Sequence, residues 1–379
     1  MTELAGGRAR GGSASRLSLV LPGLPQLLAG RWGVGGVALS VWIGFAWVLV
    51  ARHDVVRRSL SGAWDERLAV GSLVAGLLAA WYWSWRDTNT KMECAGARAG
   101  VGQWELAVRA FSKNKTAVAG LILVVGLYLL ALITPLITPD DPTAQDLPLR
   151  LQAMSAAHRL GTDQLGRDVL SRVLYGARIS LTIGFVAVGI SVTIGTLLGA
   201  VAGYLGGMVD SLIMRFVDMV ISFPRLILLI VIVAAFDPSI FLIITVLGLT
   251  LWPGTARIVR GEVLSLKRRE FIQAAEALGY SRSRIVLRHL IPNALGPVIV
   301  AATLGIGNTI VLEAGLSFLG VGVQAPTPSW GSMLSDGRDV LLDAWWLSTF
   351  PGLAIVFTVL SFNLVGDGLR DALDPRVRS

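Results

Sequence analysis

Ionisable side chains interrupt the apolar body of this chain at few positions, and those positions limit the chemistry open to it. Arg225 follows Pro224 and precedes the run LILLIVIVAAF, while Glu313 ends another apolar run just before LSFLG. A guanidinium deeper than the bilayer interface costs about 2.5–3.5 kcal/mol on insertion scales, so Arg225 needs compensation. It either snorkels to water beside Arg215 and Asp218, or lines a pathway and meets a carboxylate. Glu313 is the second pathway candidate, although its place near a boundary suits a hydrated or hydrogen-bonded carboxylate better than a proton carrier. LGTDQLGRDV gathers Thr162, Asp163, Arg167 and Asp168 in a polar turn ahead of an expected interfacial helix. Such carboxylates could bind a metal, but Asp and Arg in one turn ordinarily satisfy each other. The sequence carries no GxxxxGK[ST] phosphate loop, no HExxH, no GxSxG and no nucleophile–base pair in a span. No catalytic residue, resident metal or cofactor is therefore expected, and energy must come from elsewhere.

The segment EFIQAAEALGYSRSRIVLRHLIP, from Glu270 to Pro292, offers binding chemistry instead. Phe271, Ala274, Ala275 and Leu278 recur at helical spacing and form an apolar stripe within an arginine-rich surround. Gly279 ends the first helix, and the second runs up to Pro292. A short helix of this kind can dock into a groove of another protein; a connector lying on lipid headgroups is the alternative.

The elements that position these residues are membrane spans. The 379 residues are 54% hydrophobic and 15% charged, with a mean hydropathy of +0.66, whereas soluble domains devote about a quarter of their residues to charge. Seven charge-free runs approach or exceed the ~20 residues that cross a bilayer: Arg31 to Arg52, Arg67 to Arg86, Lys115 to Asp140, Arg178 to Asp210, Asp237 to Arg257, Arg288 to Glu313 and Asp343 to Asp367. Residues 212–236 add a less clean span, a single helix entering from a charged cytoplasmic end. The fold class is thus all-α, a polytopic membrane protein of about eight transmembrane helices. The fourth span should end near Gly203, with Gly206 and Gly207 in the turn. Lys and Arg concentrate in residues 86–115 and 257–288, which places these loops and both termini in the cytoplasm. Arg52, Arg57, Arg58 and Arg67 sit less well with the first hairpin.

The net charge of +8 comes from arginines scattered beside spans, a pattern that suits anionic lipid headgroups rather than nucleic acid. A single cysteine, Cys94, allows no internal disulfide. Residues 1–30 read as a tail and proline–glycine lead-in without a cleaved signal, 31–86 as a tryptophan-rich two-helix hairpin, and 87–103 as a cytoplasmic linker. Residues 104–379 form a six-span unit with the amphipathic loop at 266–290. Within it, Gly195, Gly199 and Gly203 repeat every fourth residue, a small-xxx-small pattern for close helix packing.

Several motifs in one order carry a family resemblance. Gln273-Ala274-Ala275, Gly279 and His289-Leu290-Ile291-Pro292 resemble the EAA loop of ABC-importer permeases, with Gln273 in place of Glu and His289 where Ile is common. WELAVRAFSKNKTAVAGLIL, HRLGTDQLGRDVLSRVLYGARISL, LSFLGVG, PTPSWG and DGLRDALDPR resemble the C-type subunit of dipeptide, oligopeptide and nickel permeases over residues 104–379. The resemblance implies ATPase coupling through Gln273, Ala274, Ala275, Leu278, Gly279, Ile291 and Pro292. It implies as partners a homologous B-type permease, two ABC ATPase subunits that bind the ATP, and an extracytoplasmic solute-binding protein. Di- or oligopeptides are the expected cargo, with nickel or another small solute as the alternative within the class. A self-powered secondary transporter is the alternative outside it, and would need intramembrane acidic residues that these spans largely lack.

Overall fold

The computed structural model describes residues 103–138, 140–236 and 239–373. The chain divides into two compact units, residues 1–101 with 132–138, and residues 102–131 with 139–379. The expected tail, tryptophan-rich hairpin and most of the linker lie outside the described residues. Among the described residues every regular element is helical, apart from an isolated bridge between Thr162 and Asp168.

The helices are α1 (Gln103–Lys113), α2 (Lys115–Ile137), α3 (Val169–Leu205), α4 (Gly207–Ser222), α5 (Arg225–Ala234), α6 (Ile240–Leu266), α7 (Glu270–Ala277), α8 (Arg282–Ile285), α9 (Ile291–Phe318), α10 (Trp330–Arg338) and α11 (Trp346–Leu373). A π-helical turn over Val286–Leu290 fuses α8 to α9. Five helical segments among the described residues are long and apolar enough to cross a membrane: α2, α3, α6, the run Arg282–Phe318, and α11. Counting α4 and α5 as one bent span makes six.

Local sequence explains where these helices start and stop. Asp168 caps α3 by accepting the Ser171 amide at 2.8 Å, and Ser239 caps α6 through the Leu242 amide at 3.1 Å. Ser329 and Ser332 form a reciprocal capping box on α10. Gly206 and Gly207, at φ of 68° and 55°, take the left-handed backbone that ends α3 and turns the chain into α4.

Two expectations change. The polar turn is not followed by a separate interfacial helix, because Asp168 caps one uninterrupted helix of 37 residues. At 1.5 Å per residue α3 is about 55 Å long, so it crosses the ~30 Å hydrocarbon layer and projects well beyond it. Nor is 212–236 a single helix, since α4 and α5 meet at 83°. Pro224 cannot donate the helical hydrogen bond and forces Phe223 into extended backbone, at φ −81° and ψ 132°.

The packing centre is the α3–α6 pair. A Cβ on Gly195 would stand 2.7 Å from the Trp252 carbonyl oxygen, one on Gly203 would stand 3.0 Å from that of Arg260, and one on Gly199 would collide with that of Ala256. Only glycine permits that approach, in a solvent where helix association depends on close packing. At one end of the bundle Ile183, Leu229, Val233, Ile243, Leu247 and Leu316 join α3, α5, α6 and α9. At the other, Tyr204, Val259, Val263 and Val298 form a floor on which α7 rests.

Candidate coupling site

Helix α7 is eight residues long, too short to hold in isolation, so its ends and its packing must define it. Glu270 opens it, placing negative charge at the positive end of the helix dipole. Gly279, at φ 75°, closes it. The Tyr280 amide donates to the Ala275 carbonyl at 3.1 Å and the Gly279 amide to that of Glu276 at 2.9 Å, the paired bonds of a Schellman turn.

The expected apolar stripe divides into two faces. Ile272 and Ala275 point inward and are buried against Tyr204, Val259, Val263, Ile285 and Leu290. Phe271, Ala274 and Leu278 share the adjacent, exposed side, Leu278 with 72% of its surface free. Ala275 is thus part of the seat rather than of the outward stripe, and Ile272, which the sequence reading passed over, carries most of the anchorage. The spacing from Ile272 to Ala275 is the sequence signal for it, but Phe271, Ala274 and Leu278 carry the same helical periodicity one position away.

Around this face lie exposed Arg268, Arg269, Arg282, Arg284 and Arg288. Gln273 is exposed, its amide 3.5 Å from the Arg268 carbonyl. Arg284 stacks over the Tyr280 ring at 4.1 Å, and His289 lies against the same ring at 5.9 Å. Ile291 is half-buried on the seat, and exposed Pro292 directly follows the π-helical turn, inside a continuous helical run that its missing N–H leaves one backbone donor short. Tyr204, at the end of α3, donates its hydroxyl to Glu276 Oε1 at 3.1 Å. The Lys267 ammonium donates to the Tyr204 carbonyl at 2.7 Å.

The other sequence candidates fall elsewhere. Glu313 is fully buried at the far end of α9, accepting the Ser180 hydroxyl at 3.2 Å and that of Ser317 at 2.8 Å. Ser317 Oγ also accepts the Val323 amide and Ser180 Oγ that of Trp330, so this carboxylate organises the turn between α9 and α10. Arg225 is exposed on the first turn of α5, next to the bend. The structure does not bring Arg225 and Glu313 into one constellation.

The polar turn pairs mainly within itself, with Arg172 Nη1 and Ser171 Oγ buried and unbonded. Asp163 Oδ2 receives Arg167 Nε at 2.6 Å and lies 3.4 Å from Arg172 Nε, and both guanidinium groups also meet Asp336, at 3.5 and 3.2 Å. Partial burial raises the Asp336 carboxyl above its ordinary value, against the downward pull of Arg172 and Arg167. Asp140, His158 and Asp168 bring ligand atoms within 4.8 Å of one another. Asp168 is already engaged, however, one oxygen with the Ser171 amide and the other with His158 Nδ1 at 3.1 Å, and Asp140 stands exposed at the edge of the group. Thr162, its hydroxyl on the Leu149 carbonyl, belongs to the same turn.

The described residues thus form a multi-span helical membrane protein with a short amphipathic helix seated between two spans. Residues 195–379 match the family model described as binding-protein-dependent transport system inner membrane component. Residues 102–153 match the N-terminal transmembrane domain of oligopeptide transport permease C. The dipeptide transport system permease protein DppC of Alkalihalophilus pseudofirmus is 46% identical over 279 residues, 74% of this chain and 92% of that protein. The oligopeptide transport system permease protein OppC of Haemophilus influenzae is 45% identical over 277 residues, 73% and 89% of the two chains. A chain of the inward-facing MetNI methionine ABC transporter overlaps 54% of this chain and 96% of its own at 21% identity and a TM-score of 0.45, too remote to bear on the mechanism. The chain belongs to the family of binding-protein-dependent transport permeases. It is a multi-pass inner-membrane permease subunit of the ABC-importer class, with the C-type N-terminal segment.

Proposed function

We propose that this chain forms half of the translocation pathway of an ATP-driven importer of di- or oligopeptides. Its partners are a homologous B-type permease, two ABC ATPase subunits and an extracytoplasmic solute-binding protein. The assignment of peptide as cargo rests on the relatives, whose names specify dipeptide and oligopeptide transport. The observation that carries the coupling role is the exposed face of α7, where Phe271, Ala274 and Leu278 stand open between arginine-rich flanking segments while Ile272 and Ala275 hold the helix to its own subunit. An apolar face left open beside a firmly anchored one suits a groove on another protein.

In this reading α7 and both termini face the cytoplasm, in line with the Lys and Arg excess around residues 257–288. The Asp163–Asp336 turn and the α9–α10 loop then face outward, toward the binding protein. ATP-driven closure of the ATPases moves α7, and the packed spans rock between inward and outward access. Gln273, Ala274, Leu278 and Gly279 serve contact and shape, Ala275, Ile291 and Pro292 fix the seat, and the permease itself supplies no ATP site. The six-span unit over 104–379 carries this work; Arg225 stands beside the bend as the pathway candidate exposed to it.

Affinity purification of the chain expressed with its neighbouring transport genes tests the proposal. The ATPases should co-purify with the wild type and be lost on Ala274→Glu, which places a charge on the open face without touching the buried one. Reconstituted complex should take up dialanine or trialanine only with ATP and binding protein. Uptake by the isolated chain in liposomes, or binding of the ATPases unchanged by Ala274→Glu, would overturn it.

A further inference from the structure

Helix α7 is covalently continuous with α6 through only Lys267, Arg268 and Arg269, and with α9 through α8 and the π-helical turn. It has no covalent neighbour in α3 or in the broken span α4–α5, yet one side chain reaches it from that side. Tyr204 lies in the last turn of α3, is 7% exposed, and donates its hydroxyl to Glu276 at 3.1 Å. Two residues later comes the glycine pair that turns the chain into α4.

The link is held on both sides. Lys267 donates to the Tyr204 carbonyl at 2.7 Å and its ammonium lies 5.4 Å from the Tyr204 ring centre, so the ring is fixed from above by the end of α6. Tyr204 also packs with Ile272 and Ala275 in the floor beneath α7. Beyond the glycine pair, Asp210 receives Arg260 in a two-pronged ion pair at 2.5 and 2.6 Å, which fastens the start of α4 to α6. The Tyr204 hydroxyl is therefore the directional, polar part of the contact between α7 and the end of α3, added to apolar packing, and it lies beside the joint that leads into the broken span.

We propose that Tyr204 is a positioning residue that couples motion of α7 to the α3–α4 joint, so that the ATPase stroke reaches the broken span as well as α9. This rests on the importer reading given above, and deepens it. A phenylalanine at 204 would keep the ring in its packed site and remove only the hydroxyl, whereas a purely structural role would be served as well by either residue. Glu276→Gln keeps an oxygen that can accept from Tyr204, and so serves as the conservative control.

The test uses the complete complex in liposomes, with labelled trialanine, and reads peptide moved per ATP hydrolysed. Tyr204→Phe should lower that ratio about fivefold or more, the lower range of site-to-site coupling, while the ATPases still co-purify. Glu276→Ala should do the same, Glu276→Gln should keep most of the ratio, and the Tyr204→Phe/Glu276→Ala double variant should be no worse than either single one. A wild-type ratio in Tyr204→Phe, or fully additive losses in the double variant, would overturn the link. A second reading does not depend on cargo. With Cys94 replaced by Ser and spin labels at Ser211 on α4 and Ser281 beside α7, the wild-type chain should give one narrow distance distribution and Tyr204→Phe a broader one. Identical distributions would sink the inference even if import stands; absence of ATP-driven uptake by the wild type would sink the importer reading and leave the distance result to judge the link.

Discussion

The two ends of the α3–α9 bundle hold the chain's polar residues in opposite ways. At the α9–α10 end, Asp163, Arg167, Arg172 and Asp336 pair with one another, and Glu313 is enclosed by Ser180 and Ser317. At the α7 end the arginines point to water and the apolar residues Phe271 and Leu278 stand exposed between them. One end pairs its charges within the chain, with only Arg172 Nη1 and the Ser171 hydroxyl left buried and unbonded among them, while the other leaves surface of the kind a partner covers. Charge alone did not separate them; what does is whether each group finds its counterpart within the same chain.

Breaking the closed end should have the largest effect on stability. Arg167→Ala removes a guanidinium that is 6% exposed and paired to an equally buried carboxylate, a change that typically costs about 3–5 kcal/mol. Denaturant unfolding in detergent should show that loss, while α7 still binds the ATPases. Ile272→Ala attacks the seat of the open end. Emptying a fully buried isoleucine site should cost about 2–5 kcal/mol, and hydrogen exchange should report it at residues 270–280 before anywhere else. Gly279→Ala forces a side chain onto a residue at φ 75°, which costs about 1–2 kcal/mol and should loosen α7 with its surface composition intact. Leu278→Ser sharpens the contrast from the other side. With 72% of its surface free, it should change stability by less than about 0.5 kcal/mol and yet weaken ATPase retention in pull-down. A Leu278→Ser protein that unfolds easily, or an Arg167→Ala protein that does not, would erase the distinction between the ends.

The helical class and the spans of the described unit were legible because long charge-free runs have one solution in a bilayer. Gly279 was legible as a stop because few other residues accept that backbone. What the sequence did not disclose depended on partners far along the chain. Nothing near Glu313 announces Ser180, 133 residues away, and the Tyr204–Glu276 bond spans 72. The division of the α7 stripe was hidden for a related reason: Phe271 and Ile272 differ little in hydropathy, and only the floor supplied by Val259, Val263 and Leu290 decides which one turns inward. The bend at Phe223 had a local cue in Pro224, but the apolar tail that follows it reads equally well as the rest of a straight helix.

That bend divides its span into unequal limbs. The α4 limb is pinned to α6 twice, by Asp210 with Arg260 and by Asp218 with Arg257. The α5 limb is ten residues long and, among the described residues, makes no ion pair and no side-chain hydrogen bond to another helix. The two arms that meet at Phe223–Pro224 are therefore anchored by different forces: added salt should loosen the exposed Asp218–Arg257 hold on the first and leave the second, seated through buried Leu229 and Val233, unchanged.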